Sequence, residues 1–177
     1  MKRTPPTLLL GALLVCGLAA AGARAETASP ERIGEVAAKG SHVMPFDLKK
    51  TAHVFAKTPT GGLQTVYARD PADTAQISLI RAHLIKIAGE FARGDFTDPE
   101  RIHGPGMPGL AELRAAKQGQ LTVVYKDRPD GGEITYTAAD PGLVAALHRW
   151  FDAQVMDHGP DAMPGMPPEH HRMMHPQ

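Results

Sequence analysis

The sequence predicts an α+β domain in which a β-hairpin followed by a helix is used twice (ββα-ββα), giving a four-stranded antiparallel sheet with two helices on one face. Three observations carry this. Two turn-like segments, Thr58-Pro59-Thr60-Gly61-Gly62 and Arg128-Pro129-Asp130-Gly131-Gly132, each lie between strand-like runs. A helical pattern follows each hairpin. Pro59, Gly61-Gly62 and Asp70-Pro71 recur as Pro129, Gly131-Gly132 and Asp140-Pro141, each 70 positions later, which reads as a structural duplication.

The elements follow in order. The first hairpin occupies 51–57 and 63–69. Residues 73–93 form the clearest helix: Ile77, Ile80, Leu84, Ile87 and Phe91 recur at steps of three and four and share one face. Asp73 and Gln76 make a capping box, and Gly94 is a natural stop. Residues 95–119 are loop-rich, with a helix start at Asp98-Pro99 and a short helix over 108–117. The second hairpin occupies 121–126 and 133–137, and the second helix runs over 141–156.

The N-terminus carries an export signal. Lys2 and Arg3 precede an apolar run from Leu8 to Ala21, and Ala23-Arg24-Ala25 offers small residues for cleavage, so 1–25 read as a signal peptide. The apolar run is about 14 residues, short of the ~20 that span a bilayer. Val15 is too large for the position before a lipidated Cys16. The expectation is a periplasmic protein with no membrane anchor after cleavage. Residues 26–40 read as a flexible leader, 41–156 as the α+β domain and 157–177 as a disordered tail, where apolar periodicity ends and Pro and Gly accumulate.

Composition excludes several classes. The 177-residue chain has one cysteine, Cys16, which leaves with the signal. The mature chain thus has no disulfide, thiolate ligand, c-type haem attachment or Cys nucleophile. Lys2, Arg3 and Arg24 leave too, so 19 basic residues fall to 16 against 19 acidic ones, no footprint for nucleic acid or an anionic membrane. No Gly-x-Ser-x-Gly elbow, glycine-rich phosphate loop or His-Glu-x-x-His is present. Asp95, Asp98 and Glu100 are explained by helix capping, and the expectation is a protein that is not an enzyme.

The unusual feature is nine His and, after Met1, seven Met. The segment 156–177 holds Met156, Met163, Met166, Met173 and Met174 with His158, His170, His171 and His175. Thioether sulfur is a soft donor suited to Cu(I), and imidazole suits copper in either oxidation state. Flexible Pro/Gly spacing lets such donors converge without a pocket; the competing reading is a solvated low-complexity tail. A second cluster lies in Ser41-His42-Val43-Met44-Pro45-Phe46-Asp47-Leu48, where His42 and Met44 point the same way if the backbone is extended. Alternatively, Met44, Phe46 and Leu48 anchor the leader to the domain.

Through the 70-residue correspondence, His53 and Phe55 take the places of Val123 and Tyr125, which puts His53 on the helix-facing side of the sheet. At 100° per residue, His83 lies roughly 70° from the centre of its helix's apolar face and His148 roughly 80° from the centre of its own. Either is a ligand or an ordinary flanking residue. His103 and Met107 frame a Gly-Pro-Gly loop. The expected folded site is His42, Met44, His53 and His83, with His103 and Met107 contributing from the loop, unless His53 and His83 are satisfied separately and never meet.

The segments His42-Val43-Met44-Pro45-Phe46-Asp47-Leu48, His53-Val54-Phe55, Ile102-His103-Gly104, Met107-Pro108-Gly109-Leu110 and Leu147-His148-Arg149-Trp150-Phe151-Asp152 resemble a family of small exported proteobacterial proteins, over roughly 41–158. Its members often carry the label aspartate carbamoyltransferase. This sequence contradicts the label: it lacks the Ser-Thr-Arg-Thr phosphate-binding motif and is exported away from carbamoyl phosphate. The resemblance implies a grouping and no mechanism.

The expected function is a periplasmic copper-binding protein for copper tolerance, buffering or delivery. The alternative is a non-catalytic structural module that binds another periplasmic protein and no metal.

Overall fold

The computed structural model describes residues 28–166. The signal-peptide reading, and His170, His171, Met173, Met174 and His175, lie outside the described residues. Within them the chain is a mixture of helix and strand around one five-stranded sheet. The helices are α1 (Pro30–Gly40), α2 (Thr74–Ala92), α3 (Thr97–His103), α4 (Leu110–Ala115) and α5 (Pro141–His158). The strands are β1 (Thr51–Thr58), β2 (Gly61–Ala68), β3 (Leu121–Arg128), β4 (Gly131–Ala138) and β5 (Ala162–Gly165), in the spatial order β3-β4-β2-β1-β5.

The four expected strands pair antiparallel. Thr58 stands opposite Gly61 and Arg128 opposite Gly131, and the two hairpins join where Gly62 meets Tyr136. The sheet is nevertheless not four-stranded and antiparallel, because β5 adds parallel to β1 with Ala162 beside His53. Gly159, at φ 53°, lets the chain reverse after α5. Pro164 is tolerated because β5 is an edge strand. Four residues with a Pro among them show no alternation, so the pattern of the sequence conceals this strand.

The glycine pairs lie inside the strands rather than in the turns. A Cβ on Gly62 would stand 2.4 Å from the Phe151 ring, and one on Gly132 would stand 2.8 Å from the Tyr125 ring and 3.0 Å from Leu84. They are bare so that α5 and α2 can lie close to the same face of the sheet. The two helix starts are not equivalent. Asp140 caps α5 by accepting from Leu143 N, whereas α2 is capped by Asp73, and Asp70 accepts from Ala72 N in the turn before it.

Two boundaries move. The segment read as a flexible leader is the helix α1 from Pro30 onward: Ser29 caps it, Pro30 fits the first turn, and Val36 is fully buried. The segment read as a disordered tail is ordered through Met166, since α5 runs on to His158 and β5 follows. Between α2, α5 and the sheet lie Trp150, Tyr136, Phe91, Phe96 and Phe151, ring against ring at 4.5–6.4 Å. The other face of the sheet carries Val54, Leu63, Thr65 and Tyr67 around an open groove of about 400 Å³. Among the described residues, no helix is long and apolar enough to cross a membrane.

Candidate functional site

A cavity of about 50 Å³ lies between β1, α2, α3, α5 and the segment after α1, lined by His53, His83, His103, His158, Met44 and Gln154 among others. Strand alternation sets His53 on the helix side with Phe55, whose ring runs nearly parallel to it. The Phe46 ring lies 5.9 Å from that of His53 and 5.5 Å, edge to face, from that of His83. His158, the last residue of α5, lies parallel to His53 at a centroid separation of 5.4 Å. His103, the last residue of α3, meets His158 edge-on at 5.1 Å.

His103 is held from behind. Its Nδ1–H donates to Asp157 Oδ2 at 2.8 Å, and Arg32 donates to the same carboxylate from Nη2 (2.6 Å) and Nε (3.2 Å). Arg32 Nη2 also donates to the His103 carbonyl at 2.8 Å, so α1 is clamped to the ends of α3 and α5. Burial alone would raise the Asp157 carboxyl, but the hydrogen bonds from His103 and Arg32 outweigh it and hold the group at about 2.

Burial disfavours the charged form of His53, His83 and His158. His53 is held down at about 4 by burial, which outweighs the opposing influence of the Asp161 backbone, and like charge on His83 or Arg69 adds to it. His83 is held at about 4 by burial and by the Lys86 cation, with Asp98 opposing. Burial pushes His158 well below the ordinary range, as would charge on His53 or His103. Neutral rings offer lone pairs to a Lewis acid. Two buried nitrogens on the lining, His53 Nδ1 and Trp150 Nε1, have no hydrogen-bond partner among the described residues. Also among the described residues, no group of three or more His, Cys, Asp or Glu is arranged as it stands to hold a metal ion.

The expected donors separate into those inside and those outside the cavity. His53, His83, Met44 and His103 all line it. His42 does not: the chain turns after α1, with Met44 N bonded to Gly40 O at 2.8 Å, so Met44 is buried while His42 is exposed. An extended backbone, which would have put the two on one side, is absent there. Met107 is packed in the hydrophobic core and is not on the lining. Met156, Met163 and Met166 are exposed, and Met163 pairs with Val54 while Met166 lines the outer groove. His148 Nε2–H donates to the Thr58 and Gly61 carbonyls and braces the first hairpin.

Sequence reasoning missed His158 as a member of the domain, and Asp157 and Arg32 altogether. The available signal was the helical spacing of Leu147, Trp150 and Phe151, whose face continues through Gln154 to His158 at further steps of three and four and so extends the helix past 156. No family model, no curated protein and no solved structure matches this chain.

Proposed function

We propose that this is a periplasmic, non-catalytic copper-binding protein that serves copper tolerance, buffering or delivery through His and Met donors. The observation that carries the reading is the convergence of four imidazoles and the Met44 thioether on one cavity, with His53 Nδ1 left unpartnered there. Imidazole with thioether is a donor set that favours copper over hard cations. The tail donors His170, His171, Met173, Met174 and His175 belong to the same reading, as does the grouping with small exported proteobacterial proteins. The matching 70-residue offset of all four strand boundaries supports a duplicated hairpin unit.

The experiment is an anaerobic titration of the full mature chain with Cu(I) against a chromophoric Cu(I) chelator. Uptake of at least one ion in competition with the chelator supports the reading, and no uptake removes it.

One observation favours a second reading, a partner-binding module without a metal. The outer sheet face leaves Val124 54% and Met163 38% exposed beside Val54, Leu63 and Tyr67. A periplasmic protein that co-purifies with the wild-type chain, and is lost on Val124→Lys, would favour it.

A further inference from the structure

We infer that β3 is the interface of a two-fold dimer: the strand pairs antiparallel with β3 of a second copy about Val124, so that the two sheets run on as one. The pairing needs no metal and stands apart from the copper reading.

The two edges of the sheet differ. β5 is four residues long and carries Pro164, and a short edge with a proline resists pairing. β3, the opposite edge, has eight residues in unbroken register with β4, without a proline or a bulge. Its outward row follows from β4. Ala138 N donates to Thr60 O and Asp130 O accepts from Ala68 N, so along β4 the even-numbered residues face β2 and the odd-numbered ones face β3. Thr122, Val124, Lys126 and Arg128 stand opposite those odd residues and spend their backbone groups on β4. Leu121, Val123, Tyr125 and Asp127 therefore turn their N–H and C=O groups outward. Among the described residues, none of these four makes a backbone hydrogen bond outside the sheet.

The row is self-complementary. With Val124 on the two-fold axis, Val123 meets Tyr125 twice, a β-branched residue against an aromatic one, and Thr122 meets Lys126. Asp127 meets Leu121 and Arg128 meets Gln120, so no like charges stand opposite each other. Val124, 54% exposed in the single chain, is covered by its own copy.

The helix layer fits the same axis. α2 lies across β3 and β4, one strand spacing from the axis. At ~4.8 Å per strand the two α2 helices stand roughly 10 Å apart, a normal helix-packing distance. Arg81 of α2 donates to the Arg128 carbonyl at the end of β3, and Ile85, one turn further along the same flank and 55% exposed, faces the seam between the helices. An eight-residue strand is ~26 Å long and the sheet with its helix layer ~20 Å deep, which gives roughly 500 Å² from each copy and about 1,000 Å² in all. That is the size of a reversible pair rather than an obligate one.

The test is sedimentation equilibrium of a chain running from residue 26 to 177, over a concentration series and with EDTA present so that no metal bridges two copies. The mass should rise to twice that of the chain. A monomer throughout overturns the dimer, whether the edge is bare or covered by the chain's own residues outside 28–166. Val124→Lys sets like charges on the axis and should weaken association at least about 10-fold while the monomer's melting temperature is unchanged. An equimolar mixture of Val124→Lys and Val124→Glu chains should associate again; a dimer indifferent to these substitutions overturns the interface. Val124→Cys gives this chain its only thiol, and Cα atoms ~4.5 Å apart across a non-hydrogen-bonded pair suit a disulfide, formed as diamide takes up the two thiol hydrogens. Thr122→Cys and Lys126→Cys, each roughly 13 Å from its own copy, should stay unlinked. Linking at either position as fast as at Val124→Cys overturns the register. If Val124→Lys does not fold, the Cys series decides. Failure of the dimer leaves copper uptake by the chain untouched, and failure of copper uptake leaves the dimer standing.

Discussion

Asp157 Oδ2 stands 2.8 Å from His103 Nδ1, across 54 residues of chain, and the same carboxylate receives Arg32 from 125 residues away. One side chain thus ties the N-terminal helix, the end of α3 and the end of α5 together behind the cavity. The arrangement accounts for the order of residues 30–40, whose composition alone does not demand a folded segment.

Removing that side chain should cost stability. Asp157→Ala leaves Arg32 and His103 without their shared acceptor, and the side chain is only 15% exposed, so a loss of about 1–3 kcal/mol is expected by urea denaturation. A double-mutant cycle with Arg32→Ala should show a coupling of about 0.5 kcal/mol or more. Additive single effects would mean that α1 is held by its apolar contacts alone.

The bare face of the hairpins should resist a single methyl group. Gly62→Ala drives a Cβ against the Phe151 ring at 2.4 Å and is expected to cost about 1–3 kcal/mol. Gly34→Ala, on α1 with nothing within 4 Å of its Cβ, is the control and should be neutral or mildly stabilising. Thermal melts of both variants check this.

Much of the architecture was readable because it is written in local chemistry. Ile77, Ile80, Leu84, Ile87 and Phe91 announce α2, and the two Pro/Gly segments announce the hairpins. What was hidden depends on long-range partners. β5 is held by β1 rather than by any pattern of its own, and α1 is held by Asp157. His53 and His83 could be aimed toward the same layer from periodicity, but His158 could not be added while α5 was ended at 156. The spacing of His42 and Met44 misled for a related reason: two residues apart share a side only in extended backbone, and there the chain turns.

Acid should weaken the fold through His83. Its folded value of about 4 lies below the ordinary 6.5, so between those values the unfolded chain binds a proton that the folded chain refuses. Stability therefore rises with pH across that window, and lowering the pH from 6.5 to 4 should cost on the order of 3 kcal/mol from this residue. The neighbouring Lys86, whose ammonium is held, against the opposing effect of burial, above its ordinary range by Asp98 and Glu90, keeps its charge throughout that range. His83→Leu should flatten this part of the stability curve, measured by denaturation at a series of pH values. An unchanged curve would place the acid sensitivity elsewhere.

Truncation should reveal how much the last ordered strand contributes to the fold. A chain ending at His158 gives up the pairing of β5 with β1 beside His53 and should melt at a clearly lower temperature. A chain ending at Met166 keeps every described element and should melt close to the full chain. Equal melting of both truncations would show that β5 contributes nothing to the fold.

The most direct measurement is Cu(I) stoichiometry, by anaerobic chelator competition, of a chain running from residue 26 to 177 in which His170, His171 and His175 are Gln and Met173 and Met174 are Leu. One ion is expected to remain bound, and to be lost when His53→Phe is added while the circular dichroism spectrum is kept. A chain that binds no Cu(I) once those five donors are replaced would contradict the account.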